Sequence, residues 1–205
     1  MLEARDLECV RGQRQLFAPV SFVTQPGDCY EVKGPNGSGK TSLLRMLCGL
    51  LPPTRGEVLW RGAPVSERRE EYRAAITYVG HRPSVKQELT ALENLLVSTA
   101  LNGWDVSRHA ARTALARLGL KGLEDMPGRR LSEGQQRRVA LARLVACPTP
   151  VWFLDEVQAA LDDTATRVIT EVIEEHLADG GVAVIATHQP LDFVRHLSCR
   201  IELAA

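Results

Sequence analysis

Residues 34–41, Gly34-Pro-Asn-Gly-Ser-Gly-Lys-Thr41 (GPNGSGKT), match the pattern G-x-x-x-x-G-K-[ST]. A strand-like run, CYEVKG (29–34), precedes them, and a helix-like run, TSLLRMLCGL (41–50), follows. An accidental glycine-rich turn would not need these flanking elements, whereas a phosphate-binding loop does. Its glycines let backbone N–H groups surround phosphates, and the start of the helix adds a dipole that favours anions. The segment therefore predicts a site for a nucleoside triphosphate.

Two residues of this loop are predicted to carry specific contacts. Lys40 would contact the β and γ phosphates, and the Thr41 hydroxyl would bind Mg²⁺. The residues predicted to bind the nucleotide are Gly34, Pro35, Asn36, Gly37, Ser38, Gly39, Lys40, Thr41 and Ser42.

A second candidate segment is VWFLDE (151–156), an apolar run that ends in two carboxylates. In a parallel sheet the carboxyl ends of the strands face the ligand crevice. Asp155 is therefore predicted to hold Mg²⁺ through water, and Glu156 to orient or deprotonate an attacking water. Without the phosphate-binding loop, the same run would equally fit a strand that ends in two solvated acids.

The composition is typical of a globular protein. The 205 residues are 44% hydrophobic and 24% charged, with 25 basic and 25 acidic residues. A net charge of zero argues against a dedicated nucleic-acid binder. We find no apolar run of the roughly 20 residues that span a membrane, and no secretory signal at the start. The five scattered cysteines favour buried, reduced thiols and a cytoplasmic location.

Strand-like and helix-like segments alternate along the chain. Further strands are predicted at 56–62, 75–80, 151–154 and 182–187, and the last two are apolar throughout. This order predicts an α/β fold with a mainly parallel sheet. From Pro83 the pattern becomes helical for some sixty residues. We therefore expect a single domain over residues 1–205, with a core of about 1–83 and 147–205 and a helical insert of about 84–146.

The segment LSEGQQRR (131–138) lies about ninety residues after the phosphate-binding loop and about twenty before Asp155. Ser132 suits a helix N-cap, and its hydroxyl, with the free N–H groups of the turn, can bind a γ-phosphate. Alone, the segment would be typical of a helix start followed by a solvated basic face. In this order and spacing it resembles the LSGGQ signature of ATP-binding-cassette ATPases.

The resemblance covers residues 1–203 and implies a P-loop NTPase (RecA-like) core with an antiparallel β portion at the N-terminus. It implies that ATP is the nucleotide and that two copies dimerise, so that the signature of one subunit caps the nucleotide of the other. The signature residues carried over are Ser132, Gly134 and Gln135. Asp162 matches the dimer-contacting loop, and His188 matches the switch histidine that contacts the γ-phosphate and the water.

The chain departs from the family pattern at four places. Glu133 replaces a glycine and adds a negative charge near phosphate, which Arg137 and Arg138 can offset. Arg11 takes the position of the ring that stacks on adenine, and a guanidinium plane can also stack there. Val157-Gln158 stands where a proline is usual, so we expect a less fixed backbone behind Glu156.

The fourth departure is His81. It lies where the family has a glutamine that reaches Mg²⁺ and water and also touches the membrane partner. The resemblance implies both a catalytic and a metal-contacting role for His81, whose imidazole can donate or accept one hydrogen bond. An ordinary surface-loop histidine is the alternative.

Three segments, GHRPSVKQELTALENL (80–95), LSEGQQRRVALARL (131–144) and THQPL (187–191), resemble one branch of the family most closely. That branch contains the ATPase subunits of heme exporter complexes in cytochrome c maturation. The resemblance implies a homodimer, peripheral on the cytoplasmic face of the inner membrane, that drives integral membrane subunits. Two alternatives stay open: a transporter for another small molecule or lipid, and a soluble scaffold ATPase as in iron–sulfur cluster assembly.

Overall fold

The computed structural model describes residues 1–187 and 198–203. The strands in this part of the chain are β1 (Leu2–Glu8), β2 (Val10–Arg11), β3 (Arg14–Gln15), β4 (Val20–Val23), β5 (Cys29–Lys33), β6 (Arg55–Trp60), β7 (Ala63–Pro64), β8 (Ile76–Val79), β9 (Val151–Asp155), β10 (Val182–Ala186) and β11 (Ser198–Glu202). The α-helices are α1 (Lys40–Leu47), α2 (Arg69–Ala74), α3 (Ala91–Ala100), α4 (Arg108–Arg117), α5 (Glu133–Ala146) and α6 (Asp163–Ala178). A 3-10 turn, Gly128–Arg130, precedes α5.

The strands of the described residues form two main sheets and a two-stranded hairpin of β2 and β3. Within the described residues, the larger has five strands in the order β11-β5-β10-β9-β8, and every pairing is parallel. The smaller is antiparallel, in the order β4-β1-β6-β7. Both parts of the fold expected from the sequence, the parallel core and the N-terminal antiparallel portion, are confirmed.

The parallel sheet separates two hydrophobic clusters. Along β9, Trp152 and Leu154 belong to one cluster, and Val151 and Phe153 to the other. The first cluster takes its remaining side chains mainly from α3, α4, α5 and α6, and the second mainly from α1 and the antiparallel sheet. Because both faces are covered, β9 and β10 are buried along their whole length, as their apolar sequences predict.

Local signals set the helix ends. Gly49 takes a left-handed φ of 69° after α1, and two prolines follow it. Ser107 caps α4, since its hydroxyl accepts the Ala110 N–H at 3.1 Å. Within the described residues, no helix is long and apolar enough to cross a membrane.

The cysteines are free thiols, and Cys9, Cys29, Cys48 and Cys147 are buried as predicted. The prediction is wrong for Cys199, which is exposed. It lies on β11, and β11 is an edge strand of the parallel sheet.

His176, near the end of α6, stacks on Trp152 with ring centroids 3.7 Å apart and planes 4° from parallel. Its Nε2 lies 3.3 Å from the Val182 carbonyl oxygen. Burial lowers the pKa of His176 from 6.5 to about 4, although the Val182 carbonyl and Asp179 both oppose that shift. The folded protein therefore keeps this imidazole neutral at a pH where the unfolded chain protonates it.

We expect the free energy of unfolding to fall as the pH drops from about 6.5 to about 4, because the unfolded chain binds a proton that folded His176 does not. The loss from this residue would reach about 3 kcal/mol at most. Urea denaturation across this pH range measures it. His176→Phe keeps a ring against Trp152 and should remove this part of the acid sensitivity, so an unchanged pH profile in that variant would contradict the assignment.

Candidate active site

The loop between β5 and α1 owes its shape to glycine. Gly34, Gly37 and Gly39 have φ values of 152°, 81° and 99°, which L side chains rarely adopt. A Cβ on Gly39 would lie 2.7 Å from the Phe17 ring, and one on Gly34 would lie 2.6 Å from the Leu203 carbonyl oxygen. The loop therefore needs glycine both for its backbone conformation and for its packing.

Lys40 bends back over this loop. Its Nζ donates to the Gly34 carbonyl at 2.7 Å and to the Pro35 carbonyl at 3.1 Å. The Ser38 hydroxyl is buried and has no hydrogen-bond partner among the described residues. A cation, an unsatisfied hydroxyl and the N-terminus of α1 fit the oxygens of a phosphate chain.

Four of the predicted site residues come together at the carboxyl edge of the parallel sheet. Thr41, His81, Asp155 and Glu156 line one cleft of about 550 Å³. They come from three separate places in the sequence: the start of α1, the loop after β8, and the end of β9 with the residue that follows it.

Asp155 is buried, with 1% of its surface exposed. Its Oδ2 has no hydrogen-bond partner among the described residues. Burial raises the pKa of Asp155, while the Thr41 hydroxyl acts in the opposite direction. A carboxylate oxygen without a partner, beside a hydroxyl, is a donor set of the kind that Mg²⁺ prefers.

His81 Nδ1 lies 3.0 Å from Glu156 Oε2, so the two residues form a pair across the cleft. Glu156 has a φ of 51°, a left-handed conformation that is uncommon for residues other than glycine. Its backbone N–H donates to the Ala186 carbonyl at 2.8 Å, which ties this turn to the end of β10. The strained turn directs the Glu156 carboxylate into the cleft toward His81.

Within the described residues, no three His, Cys, Asp or Glu side chains converge on a point where they could hold a metal ion by themselves. An ion at Thr41 and Asp155 would need further ligands, such as phosphate oxygens and water. The contact of His81 with a metal stays a prediction.

The segment 131–138 begins α5 through a capping box. The Ser132 hydroxyl accepts the Gln135 N–H at 3.2 Å, and Gln135 Oε1 accepts the Ser132 N–H at 2.8 Å. A Cβ on Gly134 would lie 2.6 Å from the Ala160 carbonyl oxygen, so this glycine permits close contact with the loop before α6. Ser132 is exposed and does not line the cleft described above.

The reading of QQRR as a solvated basic face is wrong for Arg137. Arg137 is 1% exposed, and its guanidinium donates to backbone carbonyls at the ends of β8 and β9. Arg138 approaches the carbonyls of Leu118 and Gly119 at the end of α4. Both guanidinium groups therefore face backbone carbonyls, and these contacts do not involve the Glu133 carboxylate.

The structure also corrects the expectation of a loosely fixed backbone behind Glu156. Arg137 Nη2 donates to the Asp155 carbonyl at 2.9 Å and to the Glu156 carbonyl at 2.7 Å. The backbone is thus held from a distant part of the chain, without the usual proline. The sequence did not predict this role, because the residues around Arg137 are those of a solvent-exposed helix face.

The remaining predicted residues lie apart from the cleft or outside the described residues. Asp162 caps α6, its Oδ1 accepting the Ala165 N–H at 2.7 Å. Arg11 is exposed on the hairpin of β2 and β3, where it lies opposite Arg14 in the register of the two strands. Phe17, the aromatic residue nearest to Arg11 in the sequence, is buried. His188 lies outside the described residues.

A parallel sheet with a glycine-rich phosphate-binding loop after one strand and two adjacent carboxylates at the end of another defines a P-loop nucleoside triphosphatase. A family model described as ABC transporter matches residues 17–159. The chain belongs to the ABC transporter family and is an ATPase of that family.

Several proteins resemble the chain over nearly its whole length. The "Cytochrome c biogenesis ATP-binding export protein CcmA" of Nitrosospira multiformis is 48% identical over 202 residues, 98% of each chain. The protein of that name from Nitrosomonas europaea is 49% identical over 93% of this chain and 90% of its own length. A solved dimer of the ATP-binding cassette MJ0796 with ADP and Pi is 26% identical, with a TM-score of 0.82 over 99% of this chain and 94% of that one.

The pair of His81 and Glu156 gives a testable role for the histidine. We expect His81→Gln to keep measurable ATPase activity, because an amide can still donate a hydrogen bond to the Glu156 carboxylate. His81→Ala should lose at least about tenfold in turnover, since the Glu156 carboxylate then loses its contact with Nδ1. Steady-state phosphate release measures this, with ATP affinity determined in parallel. Wild-type turnover in both variants would return His81 to the status of an ordinary loop residue.

Proposed function

We propose that this chain is the ATP-hydrolysing subunit of an export complex in cytochrome c biogenesis, in which a homodimer drives integral membrane subunits that handle heme. The observation that carries the ATPase mechanism is the convergence of Thr41, His81, Asp155 and Glu156 on one cleft beside the phosphate-binding loop. The biogenesis role is supported by the relatives named above, which match nearly the full length of the chain.

The residues of the loop would bind the phosphates of ATP. Lys40 would exchange its two carbonyl partners for charged β and γ phosphate oxygens, which form stronger hydrogen bonds with an ammonium group. The buried Ser38 hydroxyl and the backbone N–H groups from Gly34 to Ser42 would complete the phosphate shell. Arg11 would contact the base.

Thr41 and Asp155 would hold Mg²⁺, whose charge neutralises the phosphate oxygens when it is bound. Glu156 would accept a proton from the attacking water or orient it, because its carboxylate points into the cleft from a fixed turn. His81 would hold that carboxylate through Nδ1 and would lie near the ion and the water. His188 would contact the γ-phosphate from the end of the strand that follows α6.

One copy of the chain would form half of each site. Ser132, Gly134 and Gln135, with Asp162, would face the nucleotide held by the second copy. The exposed, capped start of α5 supports this, since the capping box leaves other N–H groups of the first turn for an anion. ATP would favour the closed dimer to the extent that it binds that state more tightly.

We further propose that residues 1–205 form one nucleotide-binding domain, with a core of about 1–83 and 147–205 and a helical subdomain of about 84–146. In the structure, α3, α4 and α5 pack on one another within residues 84–146. The subdomain would transmit closure to membrane partners. These partners would hold the ATPase at the cytoplasmic side of the inner membrane.

Glu156→Gln tests the catalytic assignment. The variant should bind ATP but lose at least about 10²-fold in turnover, and it should accumulate as an ATP-dependent dimer in light scattering. Lys40→Ala is the matched control, because it should lose ATP binding and stay monomeric. Normal turnover in a Glu156→Gln variant that stays monomeric with ATP would contradict the role of Glu156.

Purification from detergent-solubilised membranes tests the partner and the pathway. We expect the tagged chain to co-purify with an integral membrane protein. We also expect its deletion in the native host to abolish covalently attached heme in c-type cytochromes, measured by heme staining. Co-purification with a soluble complex, or unchanged cytochromes after deletion, would favour the scaffold ATPase or a transporter for another compound.

A further inference from the structure

Arg137 has unusual surroundings for a charged side chain. It lies in the second turn of α5 and is among the largest fully buried side chains of the described residues. None of the ion pairs found among the described residues includes Arg137. Burial lowers the pKa of Arg137, partly offset by Asp155 and Glu156. A guanidinium in such a place needs hydrogen bonds for its N–H groups, or its burial would be costly.

Backbone carbonyls supply those hydrogen bonds, and they come from two separate segments. Nη1 donates to the carbonyls of Gly80 and His81 at 2.6 and 3.1 Å. Nη2 donates to those of Asp155 and Glu156, and Nε reaches the Val157 carbonyl at 3.5 Å. One guanidinium thus holds the loop that carries His81 and the turn that carries Glu156.

The two segments that Arg137 holds contain His81 and Glu156, whose side chains meet across the cleft. His81 Nδ1 and Glu156 Oε2 are 3.0 Å apart, and Glu156 has the left-handed φ of 51°. Strain of this kind persists only where the surroundings fix the backbone. The carbonyl contacts of Arg137 lie on either side of the strained bond and supply that restraint.

Arg137 also links this turn to the start of α5. Ser132 is the N-cap of the same helix, so Arg137 lies about 8 Å along a rigid element from the exposed signature turn. A shift of that turn would move the guanidinium and, with it, the carbonyls that it holds.

We propose that Arg137 is a positioning residue that fixes the distance between His81 and Glu156 and couples it to the nucleotide-facing start of α5. The proposal rests on the proposed function, in which Ser132 faces the nucleotide of the second copy. It concerns turnover rather than ATP affinity, because Arg137 donates its hydrogen bonds outside the phosphate-binding loop and does not itself line the cleft.

Arg137→Lys tests this proposal, because an ammonium has the same charge but lacks the planar fork that reaches both segments. Turnover should fall by about 10²-fold, the loss typical of a misplaced catalytic group, while ATP affinity changes by less than about threefold. Arg138→Lys is the matched control: it lies at the next position of α5 and contacts α4, so its turnover should stay within about threefold of wild type.

Amide hydrogen exchange gives a readout that does not depend on ATPase activity. The Glu156 N–H donates to the Ala186 carbonyl, so its exchange reports the state of the turn. Peptides that cover 80–84 and 155–159 should exchange faster in Arg137→Lys than in Arg138→Lys, without nucleotide. This comparison holds even if wild-type protein fails to hydrolyse ATP, an outcome that would defeat the proposed function alone.

Four results would overturn the positioning role. One is equal turnover and equal exchange in the two lysine variants. Another is a loss of ATP affinity in Arg137→Lys with turnover retained at saturation. Arg137→Gln, which buries no charge, covers the case in which the lysine variant does not fold, and wild-type turnover there counts against the proposal. Failure of both Arg137 variants to fold, with Arg138→Lys folded, would make Arg137 a structural residue of the fold.

Discussion

The parallel register of β5, β10 and β9 determines where the chemistry lies. Ala186 of β10 pairs with Val32 on one side and with Asp155 on the other. The loop after β5 and the carboxylates after β9 therefore leave the sheet at the same level, about 10 Å apart with one strand between them. That spacing leaves room for a phosphate chain and a metal ion between Lys40 and Asp155. A shift of register in either pairing would separate the two halves of the site.

Buried polar groups then complete this edge. Asp155 and the Ser38 hydroxyl each keep an atom without a partner among the described residues, whereas the five N–H groups of Arg137 all face backbone carbonyls. The first two sit where ligand oxygens or an ion would satisfy them. Arg137 is satisfied by the protein itself, which suits a group that holds the backbone. The edge thus combines polar atoms that can bind a ligand, on Asp155 and Ser38, with an arginine that fixes the neighbouring backbone.

The local parts of this arrangement could be predicted from the sequence. The glycine pattern before Lys40, the apolar run that ends at Asp155 and the N-cap at Ser132 each depend on a few adjacent residues, and the structure has them where the sequence indicates. Arg137 could not be predicted, because its carbonyl partners lie 18 to 57 residues away and carry no side-chain signal. The contact of His81 with Glu156 depends in the same way on two distant strands meeting at one edge. His81 was found through its position in a family pattern, and Cys199 was misjudged because edge position is a property of the sheet order.

A crystal structure of the chain with Mg²⁺ and a non-hydrolysable ATP analogue would test most directly whether this edge is the centre of ATP hydrolysis. We expect Lys40 Nζ to leave the carbonyls of Gly34 and Pro35 for the phosphates. The ion should lie at the Thr41 hydroxyl and on the Asp155 side of the cleft, with a water near the Glu156 carboxylate. A nucleotide bound elsewhere, or a Lys40 that stays on its carbonyls beside a bound nucleotide, would contradict the mechanism.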